Sequence, residues 1–346
     1  MCSPLILEIT SNFPANIKKD IDTLISLLDY NSIWQTIEWQ VMLYETRYVY
    51  KSFFVGIYKE KKLLSFAIIE KRSIGLGNYG FFCIGGPVGE NKESLQILSE
   101  TLKEISTKEK VIFIQIEPLS SIVLADFKIS FYKNFIEKYT AVIDLKQDNE
   151  TILAHMKPKG RYNIRVAEKA GVEVEQVPLT QEYLDIFYSI LSETLERDQF
   201  SANSQEYFRI FLQYLEKQNL GGLFIAKRED RVIATGIFVF YKKTALYYYG
   251  ASSSDNTQRK YMASYLLQWK AIEEAKKRGC EIFDFLGIAD PNDPHSSLVG
   301  VTDFKLKLTD NIREWQKTQI LVLRKGLYLI LQGKQIIKMI KNRFFK

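Results

Sequence analysis

The chain has 346 residues, 46% of them hydrophobic and 25% charged, with a formal net charge of +6 and two histidines, His155 and His295. That length suits two domains, and the apolar fraction is enough to fill two cores, while so modest a charge does not decide for or against nucleic acid. Two histidines leave little for a Ser-His-Asp triad or a histidine-rich metal site, and Cys2, Cys83 and Cys280 are scattered with no CxxC pair. The sequence therefore indicates no metal, no disulfide framework and a reducing, cytoplasmic setting. No segment approaches the roughly 18 apolar residues of a membrane span, and MCSPLILEITSNFP lacks the basic start and apolar run of a signal peptide.

Along the chain, the first readable pattern is FFVGIYKEKKLLSFAIIEKRS at residues 53–73, a strand, a charged hairpin and a second strand. Tyr79-Gly80 and Gly85-Gly86-Pro87 follow, then the helix-like SLQILSETLKEISTK and the strand-like VIFIQIEP. The same order returns at an offset of 169 residues, where GLFIAKREDRVIATGIFVFYKK at 222–243 again reads strand, charged hairpin, strand. Tyr249-Gly250 and Ala251-Ser252-Ser253 lead into SYLLQWKAIEEAKKRG and CEIFDFLGI, with Gly279 as a helix stop and Glu273–Lys277 and Glu274–Arg278 as i,i+4 pairs. The repeat predicts an α/β (α+β) chain made of tandem duplicated units, strands with a helix laid on them and a further strand, the order of GNAT-type acyltransferases. The expected domains are 1–143 and 144–315, with 316–346 a C-terminal strand and basic amphipathic segment returning to the first domain.

Between the copies, AHMKPKGRYNIRVAEKAGVEV carries a break at Pro158-Lys159-Gly160 and then a helical pattern that Gly171 would end. Arg161, Arg165 and Lys169 fall four apart on one face, while Ile164 and Ala167 can pack elsewhere. A cationic stripe at a helix start suits phosphates, since free amides, the helix dipole and arginine forks all favour anions. A solvated helix face is the other reading.

In the second copy the turn DNTQRKYMASYL offers Arg259, Lys260 and Ala263 to a substrate, but Tyr261 and Met262 put bulk where a coenzyme A pyrophosphate needs close backbone approach. Coenzyme A is therefore disfavoured as donor.

The chain resembles the Fem family (FemA/FemB/FemX-like) of peptidoglycan bridge-forming transferases nearly end to end. The resemblance rests on WQTIEWQ at 34–40, GGPV at 85–88, KPKGRYNIRVAEKAGVEV at 157–174 and ETLERDQF at 193–200. It continues in YYYGASS at 247–253, YLLQWKAIEEAKKRGCEIFDFLGIADPNDP at 265–294 and GVTDFKLKL at 300–308. It implies paired GNAT-like domains that move an aminoacyl group from a charged tRNA to the amine of a peptidoglycan precursor's stem peptide, with aminoacyl-tRNA as co-substrate and no cofactor. By the same resemblance Phe304 and Lys305 are the active-site pair, the lysine cation stabilising charge that develops on the ester; an exposed strand lysine is the bland alternative. By the resemblance Tyr207 in SQEYF, Tyr247 and Tyr249 are expected to line the precursor site, where residues alone would place each in a core, and Arg259 to bind substrate; Trp39 resembles a family aromatic near the same cleft, with structural packing as its expected job. Lys157, Lys159, Arg161 and Arg165 would face tRNA or another phosphate-bearing substrate.

Two departures bear on the acceptor. Family members acting on the soluble nucleotide precursor carry an arginine where this chain has Asn203, and a lysine near the first Trp motif where it has QVMLYE. Losing both cations favours a lipid-linked over a nucleotide-linked acceptor. No general base stands out; Asp284 is a candidate by position, with a structural role equally open. A GNAT-type N-acyltransferase with another donor is the competing enzyme class, and a non-catalytic RNA- or precursor-binding module, which would tolerate Lys305→Ala, is the third.

From Arg324 onward the chain carries seven cations and no acid, interleaved with Leu, Ile, Met and Phe. A basic amphipathic segment of this kind lies on the anionic inner leaflet, binds tRNA backbone or caps a domain.

Overall fold

The computed structural model describes residues 2–89, 91–198, 201–293 and 295–333. In chain order the elements begin with β1 (Ser3–Glu8), α1 (Ala15–Ser26), α2 (Ile37–Glu45), β2 (Lys51–Lys59), β3 (Lys62–Gly75), β4 (Asn78–Ile84) and β5 (Val88–Gly89). Next come α3 (Lys92–Lys108), β6 (Phe113–Glu117), β7 (Lys128–Ile129), β8 (Tyr139–Asp144), α4 (Asn149–His155), α5 (Pro158–Lys169) and β9 (Glu173–Val177). Then follow α6 (Gln181–Asp198), α7 (Gln205–Lys217), β10 (Gly221–Arg228), β11 (Arg231–Tyr241), β12 (Thr244–Ser252) and α8 (Asn256–Arg259). The last are α9 (Ala263–Lys277), β13 (Ile282–Ile288), α10 (Val299–Lys305), β14 (Ile312–Glu314) and β15 (Gln319–Val322). Among the described residues no helix is long and apolar enough to cross a membrane.

The described residues divide into two compact units, one holding 2–28, 32–136 and 315–333, the other 29–31 and 137–314. Each has one sheet, in the order β1-β2-β3-β4-β6-β15-β7 in the first and, read from its far edge, β9-β10-β11-β12-β13-β8-β14 in the second. The repeat read from the hairpin charges is therefore a repeat of topology. The hairpins β2–β3 and β10–β11 are antiparallel, each with a register shift near its turn, and β4–β6 and β12–β13 are the parallel pairs bridged by α3 and α9. In the first unit the strand beyond the parallel pair, β15, comes from later in the chain; in the second it is β8, which comes from earlier. The expected boundary at 143/144 thus falls inside β8, whose TAVI alternation pairs with β13 and belongs to the second unit. A six-residue strand reads alike whichever sheet it joins, so pattern alone misplaced it.

Amphipathic spacing explains how the helices seat. Leu98, Leu102 and Ile105 of α3 pack with Phe53, Val55, Ile69, Phe81 and Ile114 of the first sheet. Leu266, Ala271, Ile272 and Ala275 of α9 pack with Phe238, Phe283 and Phe285 of the second, each such buried ring contributing ~1.5–3 kcal/mol of transfer free energy.

In the first unit the WQ and GGPV motifs close the sheet. Gln35, 1% exposed, donates from Nε2 to the carbonyls of Ile84 at 2.8 Å and Ile68 at 3.2 Å, and its Oε1 accepts from Ile68 N at 2.8 Å. Gly86 is small because a Cβ there would lie 2.6 Å from the Gln35 amide carbon. Gln35→Leu strips three partners from buried β3 and β4 backbone groups, and a loss of about 2–4 kcal/mol is expected; a urea midpoint unchanged from wild type would contradict it.

Candidate functional site

The second unit opens where its parallel pair ends. β12 and β13 pair only from Thr244↔Ile282 to Leu246↔Asp284, while β12 runs on to Ser252. In the first unit, by contrast, pairing with β6 continues to Ile84, the last residue of β4. The half of β12 that extends beyond its pairing with β13 borders a cavity of about 1040 Å³ whose walls include Tyr247, Tyr249, Arg259, Met262, Phe304 and Lys305.

Lys305 is the last residue of α10 and is 6% exposed, so it is neither on a strand nor solvated. Its burial is made possible by a bulge in β13. The register with β8 shifts between Asp284 and Gly287, and Leu286 takes a left-handed φ of 58°. The Asp284 carboxylate accepts the Leu286 amide at 2.7 Å and so holds this turn. The bulge presents the carbonyls of Leu286 and Gly287 to the Lys305 ammonium at 3.2 and 2.7 Å. An ammonium has three donors; two are thus committed, and the third is left for the cavity that Lys305 lines. Burial pulls the Lys305 ammonium down to about 8, against the attraction of Asp284 and Glu137. Phe304 packs edge-on to Tyr265 with ring centroids 5.0 Å apart.

Asp284 itself is fully buried and does not line the cavity. It accepts Tyr30 Oη at 2.6 Å, Thr140 Oγ1 and the Leu286 amide, and burial raises its carboxyl above the usual range. It is a bracket for the bulge.

Of the tyrosines, Tyr247 and Tyr249 lie on the cavity wall. Tyr247 stacks on Phe238 at 5.4 Å, burial raises its hydroxyl, and Gly250 is obligatory beside it, since a Cβ there would sit 1.6 Å from that hydroxyl. Tyr249 Oη accepts from Asn203 Nδ2 at 3.2 Å, so the residue standing in place of an arginine reaches this site. Tyr207 does not line the cavity: Ser204 caps α7 through the Tyr207 amide, and the ring turns into the core beside Phe208 and Phe211. Trp39 is 3% exposed in α2 of the first unit, a core residue rather than a cleft aromatic.

The cationic helix start forms as α5, with Pro158 at its first turn and Ile164 and Ala167 buried. None of Lys157, Lys159, Arg161 and Arg165 lines the cavity. Arg161 is drawn back to cap α4, its Nη1 donating to the carbonyls of Leu153, Ala154 and Met156, so that nitrogen is committed to backbone. Lys157 and Arg165 are exposed, and Lys159 lies 4.8 Å from the exposed Tyr162 ring. The stretch has a second job. Lys157 N donates to Lys307 O at 3.2 Å, and a Cβ on Gly160 would lie 2.1 Å from that oxygen, so α5 packs tightly against the residues that follow α10. Gly160→Ala is expected to destabilise by about 2–3 kcal/mol and to reduce activity by displacing Lys305; an unaltered melting temperature would contradict the tight approach.

Three features escaped the sequence reading. Thr235 Oγ1 on β11 is fully buried beside the cavity, with no hydrogen-bond partner among the described residues. Met262 adopts a left-handed φ of 55° at the start of α9, where no side chain caps the helix. Arg197 and Asp198 form a two-point pair at 2.9 Å on the wall, and Arg197 also reaches Ser252 O at 3.3 Å. The first unit has its own cavity of about 780 Å³, in which the Arg72 guanidinium lies between Tyr48 and Phe135 at 4.5 and 4.4 Å.

The FemAB family model matches residues 124–221 and 216–331, a span holding the bulge, α10 and the cavity. The chain belongs to the FemAB family. It is accordingly an enzyme, an aminoacyltransferase. The lipid II:glycine glycyltransferase of Staphylococcus aureus (strain USA300) is 23% identical to it over 342 residues, spanning 74% of this chain and 78% of that protein. A crystal structure of FemX superposes with a TM-score of 0.81 at 18% identity, over 94% of this chain and 99% of the other. A tandem GNAT protein from the clavulanic acid biosynthesis pathway superposes at 0.54 with 10% identity, over 92% and 98%. The doubled GNAT-like architecture expected from the repeat is thus the fold of this FemAB member.

Proposed function

We propose that this FemAB member transfers an amino acid from aminoacyl-tRNA to the amine of a peptidoglycan precursor's stem peptide in the cytoplasm, the acceptor being lipid-linked, and that it works peripherally at the inner leaflet. The observation that carries the reading is the Lys305 ammonium, buried and held by two carbonyls at the cavity wall with one donor unspent. An amine attacking an ester carbonyl builds negative charge on the carbonyl oxygen, and a preorganised cation in a water-poor site stabilises that charge most. The new carbon–nitrogen bond forms, the bond to the ribose oxygen breaks, and the proton lost by the amine ends on that oxygen. Asp284 is held by three partners behind the cavity wall and does not line the cavity, so it is not the base, and orientation in the cavity drives attack. Tyr247 and Tyr249 would place the peptide, and the exposed Lys157, Lys159 and Arg165 would meet tRNA phosphates. The named substrate of the Staphylococcus relative supports a lipid-linked acceptor.

The competing reading is an N-acyltransferase with another donor. The bulk of Tyr261 and Met262 at the start of α9 speaks against the close backbone approach that a pyrophosphate needs. Supplying labelled charged tRNA or a panel of acyl-coenzyme A thioesters to one acceptor mixture separates the two. Label transferred from tRNA alone supports the reading, and transfer from a thioester alone overturns it.

A further inference from the structure

We propose that the outer edge of the first unit's sheet, together with the helical residues 325–333, is a docking face for an anionic bilayer; this deepens the reading of a lipid-linked acceptor and rests on it for its purpose. β7 is the last strand of that sheet and pairs with β15 through Gln319↔Ile129 and Ile320↔Lys128. Around it the chain exposes large apolar side chains, Val123 at 68%, Ile129 at 65% and Phe131 at 54%.

The helix that follows β15 adds to the same edge. Tyr328 and Leu331 face inward, the Tyr328 ring lying 5.6 Å from Phe113 and 6.5 Å from Tyr132, so the helix is fixed by one side. On its other side Leu329 is 66% and Ile330 55% exposed. Apolar groups this exposed are unfavourable in water and mark an interaction surface when they cluster.

Charge identifies the partner. Lys128, Lys133, Arg324 and Lys325 are exposed in these two segments. The carboxylate of Asp126 is neutralised by Lys103. The sequence beyond the helix adds Lys334, Lys338, Lys341, Arg343 and Lys346 with no acid; these lie outside the described residues and enter by composition alone. Exposed apolar side chains with exposed cations in the same two segments suit an interface with anionic lipid. A soluble protein partner would call for fewer lysines at the core of the contact.

The test is sedimentation of the full chain with vesicles of phosphatidylcholine alone and with added phosphatidylglycerol, at low and high salt. Wild type is expected to pellet with the anionic vesicles, and less so at high salt. The double variant Leu329→Glu, Ile330→Glu is expected to reduce the bound fraction about tenfold with an unchanged circular dichroism spectrum, because neither side chain packs inward. Phe131→Glu, on the other segment, should act in the same direction. Wild type that stays in the supernatant, or a double variant that pellets like wild type, overturns the proposal. So does a double variant that keeps vesicle binding and loses tRNA binding, which would assign the face to RNA. Sedimentation needs no turnover, so vesicle binding in a protein that transfers nothing would sink the functional reading and leave the docking face standing.

Discussion

Replacing Lys305 by Met is expected to lower the rate of aminoacyl transfer by about 10²–10³-fold, the scale seen when one preorganised charge-stabilising donor is removed. Folding should not fall with it. The buried ammonium titrates near 8 in the folded protein against 10.5 when unperturbed. Below pH 8 the charged lysine therefore disfavours folding by roughly 3 kcal/mol, and this burden fades as pH rises from 8 to 10.5. At neutral pH the Met variant should be at least as stable as wild type, and the pair of results separates lost chemistry from lost structure. Catalysis has the opposite sign: if the protonated form acts, wild-type rate declines as pH rises through about 8. Lys305→Arg should not restore activity, because a planar guanidinium does not reproduce the compact ammonium that the Leu286 and Gly287 carbonyls hold. Unimpaired transfer by Lys305→Met would return the protein to a binding module.

Asp284→Ala should be the most destabilising substitution in the second unit. It takes one buried acceptor from the Tyr30 and Thr140 hydroxyls and the Leu286 amide and removes a counter-charge from Lys305. The expected loss is about 3–5 kcal/mol, read as a lower denaturant midpoint. Asp284→Asn keeps one acceptor oxygen and should fold, with transfer within about tenfold of wild type. A general base would behave otherwise, since removing one costs about 10²–10⁴ in rate. A well-folded Asp284→Asn protein with so large a loss would make Asp284 a base acting from behind the bulge.

How much of this could be read beforehand follows from how local each signal is. The hairpins at 59–62 and 228–231 announced themselves because their charges and the flanking apolar alternation are local, and so the doubled fold was legible. Ile164, Ala167 and Gly171 gave α5 for the same reason. The placement of β8 was not legible, because pairing with β13 rather than with a first-unit strand is a long-range choice. The lysine was found through GVTDFK, but its burial depends on Leu286 taking a left-handed conformation, which no propensity favours for leucine. Arg161 looked free on a helix face; the nearby carbonyls at the end of α4 decide its direction. Tyr207 was placed by its motif, yet the cap at Ser204 fixes the helix phase and turns the ring inward.

Purified protein would be incubated with a lipid-linked muropeptide precursor and a pool of charged tRNA, with and without ribonuclease, and the precursor weighed by mass spectrometry. A gain of whole amino acid residues that ribonuclease abolishes and Lys305→Met removes is the predicted result, and the added mass names the amino acid. An unchanged precursor mass in the presence of intact charged tRNA, with lipid-linked and nucleotide-linked forms both tried, would contradict the account.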